Sequence, residues 1–388
     1  MLLKLCLVLA LQPLAWMGVA ALPHNSTGSL SITEWGATCT ERLLPVHLEK
    51  TSTQNFTLDS YSHEVFYALT RKEILISGTY NVSTRTCIPK GGAKSESIQL
   101  LAHGATYTKH MWDFAYQPER YSWTKHMNEA GYATMSFDLI GESTLLSITA
   151  QHILTTATGA GNSTRPNAMH EVQTQAHVET ARQFISALKA GEIDGHRWKR
   201  VVYVGFSIGA AVGNSLATQY PTAADQLILL GLSWYTDYIY PALLMMLRAE
   251  ANKIDPKRWG SMPDLYTTMP SLVTRQFSHL YGDFDHGVEI PDWEDLDADT
   301  VGEAVSFMFH AKEAPEYKGP VFLALGNNDV TFCGITCGDH HLDVYNKFPA
   351  AADHRPLLYP NTGHNILLHR TGRKLLNDVT DFIRKHDK

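Results

Sequence analysis

The pattern of apolar and polar positions changes period several times along the chain, and each change marks an element. Residues 97–102, 132–138, 201–204, 226–231 and 319–326 form near-continuous apolar runs, as expected of strands buried on both faces. A short run at 357–360 reads as a last strand. Helical periodicity lies between and after these runs. Val178, Ala181, Ile185 and Leu188 recur at three- and four-residue steps ahead of Gly191, a suitable terminator. Residues 123–130 read as a short helix, and a final helix turns Leu375, Leu376, Val379, Phe382 and Ile383 inward. Buried strands alternating with amphipathic helices predict the α/β class, a mostly parallel central sheet with helices on both faces. A ligand crevice is then expected beyond the carboxyl ends of the strands.

Two regions break this rhythm. Between residues 30 and 87, short alternating runs at 47–49, 65–69 and 73–80 predict antiparallel strands at a sheet edge. From about 234 to 315 the chain carries Trp234, Tyr235, Tyr238, Tyr240, Leu243, Leu244 and three methionine- or leucine-rich positions after them, then the acidic stretch 292–297. We read that segment as a helical lid inserted over the crevice of one domain spanning 22–388. Most of its apolar side chains should pack within the lid. Those that face the crevice predict a small-molecule substrate with an apolar or aromatic portion. Residues 90–94 and 155–165 read as surface loops.

Composition narrows the function classes. The chain has 388 residues, enough for a large core, and a net charge of −7 with no Lys/Arg stripe, so a nucleic-acid partner is not expected. Lys4, an apolar stretch over 2–14 and Ala20-Ala21 together read as a signal peptide of residues 1–21, with an uncleaved anchor as the alternative. No later apolar run is long enough to span a bilayer as a helix. Acceptor sequons at Asn25, Asn55, Asn81 and Asn162 agree with passage through the secretory pathway and an extracellular location. Of five cysteines, Cys6 lies in the signal segment. The remaining four are read as two disulfides, Cys39–Cys87 and Cys333–Cys337, although sequence does not settle the connectivity. Cys333 and Cys337, with His340 and His341 close behind, offer zinc as the competing reading. No metal or cofactor is expected, and oligomeric state is left open.

The chemistry centres on residues 201–211. A β-branched and aromatic run ends at Gly205, Ser207 follows, and Gly209 opens a helix of small residues. A serine that attacks a carbonyl must project from a sharp strand-to-helix turn, where bulk on either side is excluded. The Ile208 amide then faces the place where an oxyanion would form. His103-Gly104-Ala105 follows another buried strand, which makes Ala105 N–H the second candidate donor and Thr106 the fallback. His103 and Asp138, both at strand ends, read as structural groups. Serine is a weak nucleophile without a base, and that base needs a third group to orient it. Asp329 and His364 each follow a predicted strand. Asp237 competes as the acid, with Asp339 and Asp343 behind it. His340, His341, His354 and His369 compete as the base.

In the order Ser207, Asp329, His364 the chain resembles the α/β-hydrolases, over roughly residues 97–388. The resemblance implies Ser207 as nucleophile, Asp329 as acid, His364 as base, and the turn at 103–105 with Ile208 as oxyanion hole. It implies a serine hydrolase of carboxylic esters or lactones acting through an acyl-enzyme. An acyltransferase on the same triad and a non-catalytic binding protein on the same fold are the alternatives. The signal segment, sequons and layout are similar to secreted fungal hydrolases, some of which act on secondary metabolites. Phe206 stands where esterases and lipases often carry histidine, so the resemblance does not transfer a substrate class. Epoxide hydrolases and haloalkane dehalogenases share the lid placement but use an aspartate nucleophile, which Ser207 is not.

Overall fold

A computed structural model describes residues 30–56, 73–142, 163–235 and 237–387. The signal segment, the sequons at Asn25 and Asn162, the run at 65–69 and most of the 155–165 loop lie outside these residues. The centre is a nine-stranded sheet in the order β1-β2-β3-β5-β4-β6-β7-β11-β12. Its strands are β1 (Leu30–Glu34), β2 (Ala37–Gln54), β3 (Glu73–Pro89), β4 (Ser97–Ala102), β5 (Ala133–Phe137), β6 (Arg200–Phe206), β7 (Gln226–Leu230), β11 (Val321–Gly326) and β12 (His354–Tyr359). From β5 to β12 every neighbouring pair is parallel. β1, β2 and β3 add antiparallel strands at the other edge.

The continuous apolar runs are explained by burial on two sides. Leu100, Val201, Tyr203, Leu227, Leu229 and Leu323 point into one core, shared with the helices Thr174–Ala190 and Ile208–Gln219. Leu101, Val202, Val204, Ile228 and Phe322 alternate with them into the other. There they meet the helices Trp123–Glu129 and Gly372–His386, which bury Trp123, Met127, Leu375, Val379 and Phe382. Each such side chain contributes about 1.5–3 kcal/mol by leaving water.

Two expectations need correction. The antiparallel edge is dominated by two long strands, β2 and β3, with the short β1 outside them, and β2 pairs with β3 through a register shift between Leu48 and Thr51. Threonines and charged residues on its exposed positions disguise the length, since only alternate residues of β2 are buried. Cys39 and Cys87 lie directly opposite in this hairpin and are joined as a disulfide. The insertion between β7 and β11 is also not purely helical. It contains a three-stranded antiparallel sheet of β8 (Ala249–Glu250), β9 (Tyr266–Thr268) and β10 (Asp299–Thr300) among short helices. Strands of two or three residues are too short for periodicity to reveal. Among the described residues, no helix is long and apolar enough to cross a membrane.

Candidate active site

β6 delivers Ser207. At this residue the backbone takes φ 55° and ψ −114°, a region that side chains other than glycine rarely adopt. The helix Ile208–Gln219 begins on the next residue. Its flanks must be glycine for close approach. A Cβ on Gly205 would run into the Gly209 carbonyl, and one on Gly209 into the carbonyl of Ala102 in β4. The Ser207 amide donates to the Leu230 carbonyl at 2.8 Å, which pins the turn to β7.

β11 delivers Asp329. Its Oδ1 accepts from the amides of Thr331 and Phe332 at 3.0 and 3.1 Å, leaving Oδ2 for another donor. The loop is closed by the Cys333–Cys337 disulfide and by the Cys333 amide donating to the Asp329 carbonyl at 2.9 Å. Paired in this way, the two cysteines are not available as zinc ligands. β12 and its turn deliver His364, whose Nδ1–H donates to Asp329 Oδ2 at 2.7 Å. That tautomer leaves the Nε2 lone pair facing Ser207, and the serine hydroxyl donates to it at 2.8 Å. All three side chains are buried or nearly so, with Ser207 the most accessible at 9%.

His369, weighed as a rival base, holds His364 in place. Its Nε2 accepts from the Gly363 amide at 2.9 Å and its Nδ1–H donates to the Asn365 carbonyl at 2.7 Å, so one ring ties both neighbours of His364. Burial lowers its pKa, which keeps Nε2 free to accept. The rings of Phe206, His279 and Phe332 pack around His364 with centroids 4.8, 5.4 and 5.6 Å away. Burial, followed by the charge of Arg275, holds His279 well below the usual imidazole range. Asp237 is exposed on the insertion, while His364 Nδ1 is already engaged by Asp329. His340 stacks on Tyr235 and His354 bonds the Phe348 carbonyl, and neither they nor His341 line the cavity at Ser207.

That cavity spans about 540 Å³ of space, part of it open to solvent. Ala105, Thr106 and Ile208 line it together with Ser207 and His364, so the two residues expected to supply oxyanion donors border the same cavity as Ser207. Side chains of the insertion, including Leu243, Met246 and Phe307, form much of its apolar wall. His103 donates from Nδ1 to the Gly104 carbonyl at 2.9 Å and accepts at Nε2 from the Leu139 amide at 3.0 Å. Asp138 accepts from the backbone and ammonium of Lys109 at 2.7 and 3.2 Å. Both groups therefore serve the turns they sit in.

Arg275 was not legible as a site residue. It is fully buried, paired with Asp292 through bonds of 2.7 and 3.1 Å, and its third nitrogen donates to Thr106 Oγ1 at 2.7 Å. Its guanidinium also lies 3.9 Å from the Tyr107 ring centre. A lone arginine in the insertion carries no sequence signal of burial, and Asp292 sits in a stretch that reads as an acidic loop. Among the described residues, one group of carboxylates is placed closely enough to share a cation: Glu142, Asp299 and Glu303, with ligand atoms within 4.8 Å of one another. Of the sequons, Asn81 is exposed on β3 and Asn55 is partly exposed at the end of β2.

Residues 99–376 match the model of the Alpha/beta hydrolase family. A highly thermostable carboxyl esterase from Bacillus coagulans, solved with glycerol, aligns at TM-score 0.55 and 13% identity over 79% of this chain and 95% of its own. A soluble variant of monoglyceride lipase from Saccharomyces cerevisiae, solved with a substrate analogue, aligns at 0.51 and 16% over 87% of this chain and 96% of its own. An alpha/beta hydrolase fold protein from Chitinophaga pinensis aligns at 0.50 and 15%, over 78% and 94%. At these identities the likeness is one of fold. No curated protein matches the chain.

Proposed function

Because the chain belongs to the alpha/beta hydrolase family, we propose that it is a serine hydrolase that cleaves carboxylic esters through an acyl-enzyme. The observation that carries this reading is the hydrogen-bonded row Ser207–His364–Asp329, with links of 2.8 and 2.7 Å. Ser207 Oγ attacks the ester carbonyl as His364 Nε2 takes its proton, and Asp329 stabilises the imidazolium. The amides of Ile208 and Ala105 hold the oxyanion. Collapse expels the alcohol, which leaves with the proton from His364, and water then repeats the sequence to release the acid. The largely apolar cavity suits an ester or lactone with an apolar or aromatic portion, such as a secondary metabolite. Residues 1–21 are proposed to direct secretion, with glycans on Asn25, Asn55, Asn81 and Asn162. The two disulfides and the exposure of Asn81 support that location.

The test is turnover of a panel of esters, lactones, thioesters and amides by the wild type and Ser207→Ala, with fluorophosphonate labelling in parallel. Ser207→Ala should lose on the order of 10⁴–10⁶ in kcat and all labelling. Full ester turnover by the folded Ser207→Ala protein would sink the proposal.

A further inference from the structure

Three charged residues line the cavity and have no part in ester cleavage: Arg248, Asp299 and Glu303. Glu303 lies in the helix Val301–Ser306 and is fully buried. Its Oε2 is 2.9 Å from His177 Nε2, while Oε1 makes no hydrogen bond. Asp299 is ion-paired with Arg248. Behind them, Glu142 is fully buried with its Oε2 3.1 Å from His103 Nδ1. Burial, then the negative charges of Glu303 and Asp297, drive its carboxyl well above the usual range. Three acids thus converge, with Arg248 ion-paired to one of them.

A buried carboxylate oxygen without a donor is costly, and here it belongs to a residue that lines a ligand cavity. What Glu303 Oε1 lacks is a partner with N–H donors and positive charge. Calcium or magnesium fits poorly. Such ions take six or more oxygens, whereas Arg248 and His177 already direct nitrogens at two of the three acids. An ammonium group carries three donors and one charge. The apolar wall of Leu243, Met246 and Phe307 would hold the carbon chain between that group and Ser207.

We propose that the acidic wall of the cavity binds a protonated amine on the substrate, with Glu303 as its counter-ion, so that the preferred substrates are amine-bearing esters. The substrate part of this statement rests on the ester-cleaving reading above, and the amine site does not.

The test compares ethyl esters of ω-amino, ω-hydroxy and methyl-terminated alkanoic acids of equal chain length, over a series of lengths. At the best length the ammonium ester should exceed the methyl ester in kcat/KM by about tenfold or more, as one charge-assisted hydrogen bond allows. N-acetylation of the amine should remove the advantage, and Glu303→Gln should bring the ratio to about one. A wild-type ratio of one or below at every length, or an advantage that survives N-acetylation, would overturn the proposal. The matching alkylammonium chlorides are also titrated by calorimetry onto folded Ser207→Ala protein. Binding that disappears in Ser207→Ala/Glu303→Gln supports the amine site even if no ester is turned over, in which case only the ester-cleaving reading fails. Absence of binding at every chain length overturns the amine site.

Discussion

Replacing Asp329 by asparagine exchanges one oxygen for an amino group and keeps the shape of the site. The remaining oxygen can still accept from the Thr331 and Phe332 amides, which orients the side chain as before. The amino group then occupies the Oδ2 position, 2.7 Å from His364 Nδ1. It can only donate, so Nδ1 must become the acceptor and the imidazole proton moves to Nε2. Nε2–H now points at Ser207 Oγ, 2.8 Å away, and the serine has lost its base. The same change of tautomer in other triads lowers kcat by about 10⁴, or about 5.5 kcal/mol in the barrier. The assay is kcat on an activated ester, the rate of fluorophosphonate labelling, and near-ultraviolet circular dichroism to confirm folding. KM should move little, because Asp329 is shielded from the cavity behind His364. Asp237→Asn, in the exposed part of the insertion, should leave all three readouts unchanged. A loss below about tenfold in folded Asp329→Asn, far short of a triad defect, would refute the tautomer argument. An equal loss in Asp237→Asn would refute it as well.

Two further outcomes follow from buried charge. Arg275→Met removes the partner of a buried carboxylate at Asp292 and the donor to Thr106. It should cost about 3–5 kcal/mol in urea unfolding, and Arg275→Met/Asp292→Leu should recover most of that. His279 is held neutral by burial, with a folded pKa well below its unfolded value of about 6.5. Its contribution to stability is therefore complete above about pH 6.5 and is lost as pH falls, because the unfolded chain takes up the proton first. In His279→Gln, the decline of unfolding free energy below that pH should be shallower by up to about 1.4 kcal/mol per pH unit. An unchanged slope would show that the imidazole titrates normally.

What could be read from residues in a row was what short-range physics controls. Strands buried on both faces need uninterrupted apolar runs, and β4, β6, β7 and β11 have them. The strained turn at Ser207 needs glycines two residues to either side, since backbone carbonyls fill the space a Cβ would take. Gly191 ends its helix at φ 78°, where its lack of a side chain is an advantage. The position of His364, just past β12 and ahead of the last helix, was legible for the same reason. Partners far apart in the chain were not. The order of the triad favours Asp329 over Asp237 as the acid, but whether its carboxylate meets His364 depends on how the adjacent strands β7, β11 and β12 present their loops. The links to His364 span 35 and 157 residues, so local preference has no hold on them. His369 looked like a rival base until the fold turned both its nitrogens toward the backbone beside His364. The Arg275–Asp292 pair and the meeting of Glu142 with Asp299 and Glu303 are of the same kind. Each is a charge whose burial is created by packing, and packing is a property of the assembled layers, not of any one segment.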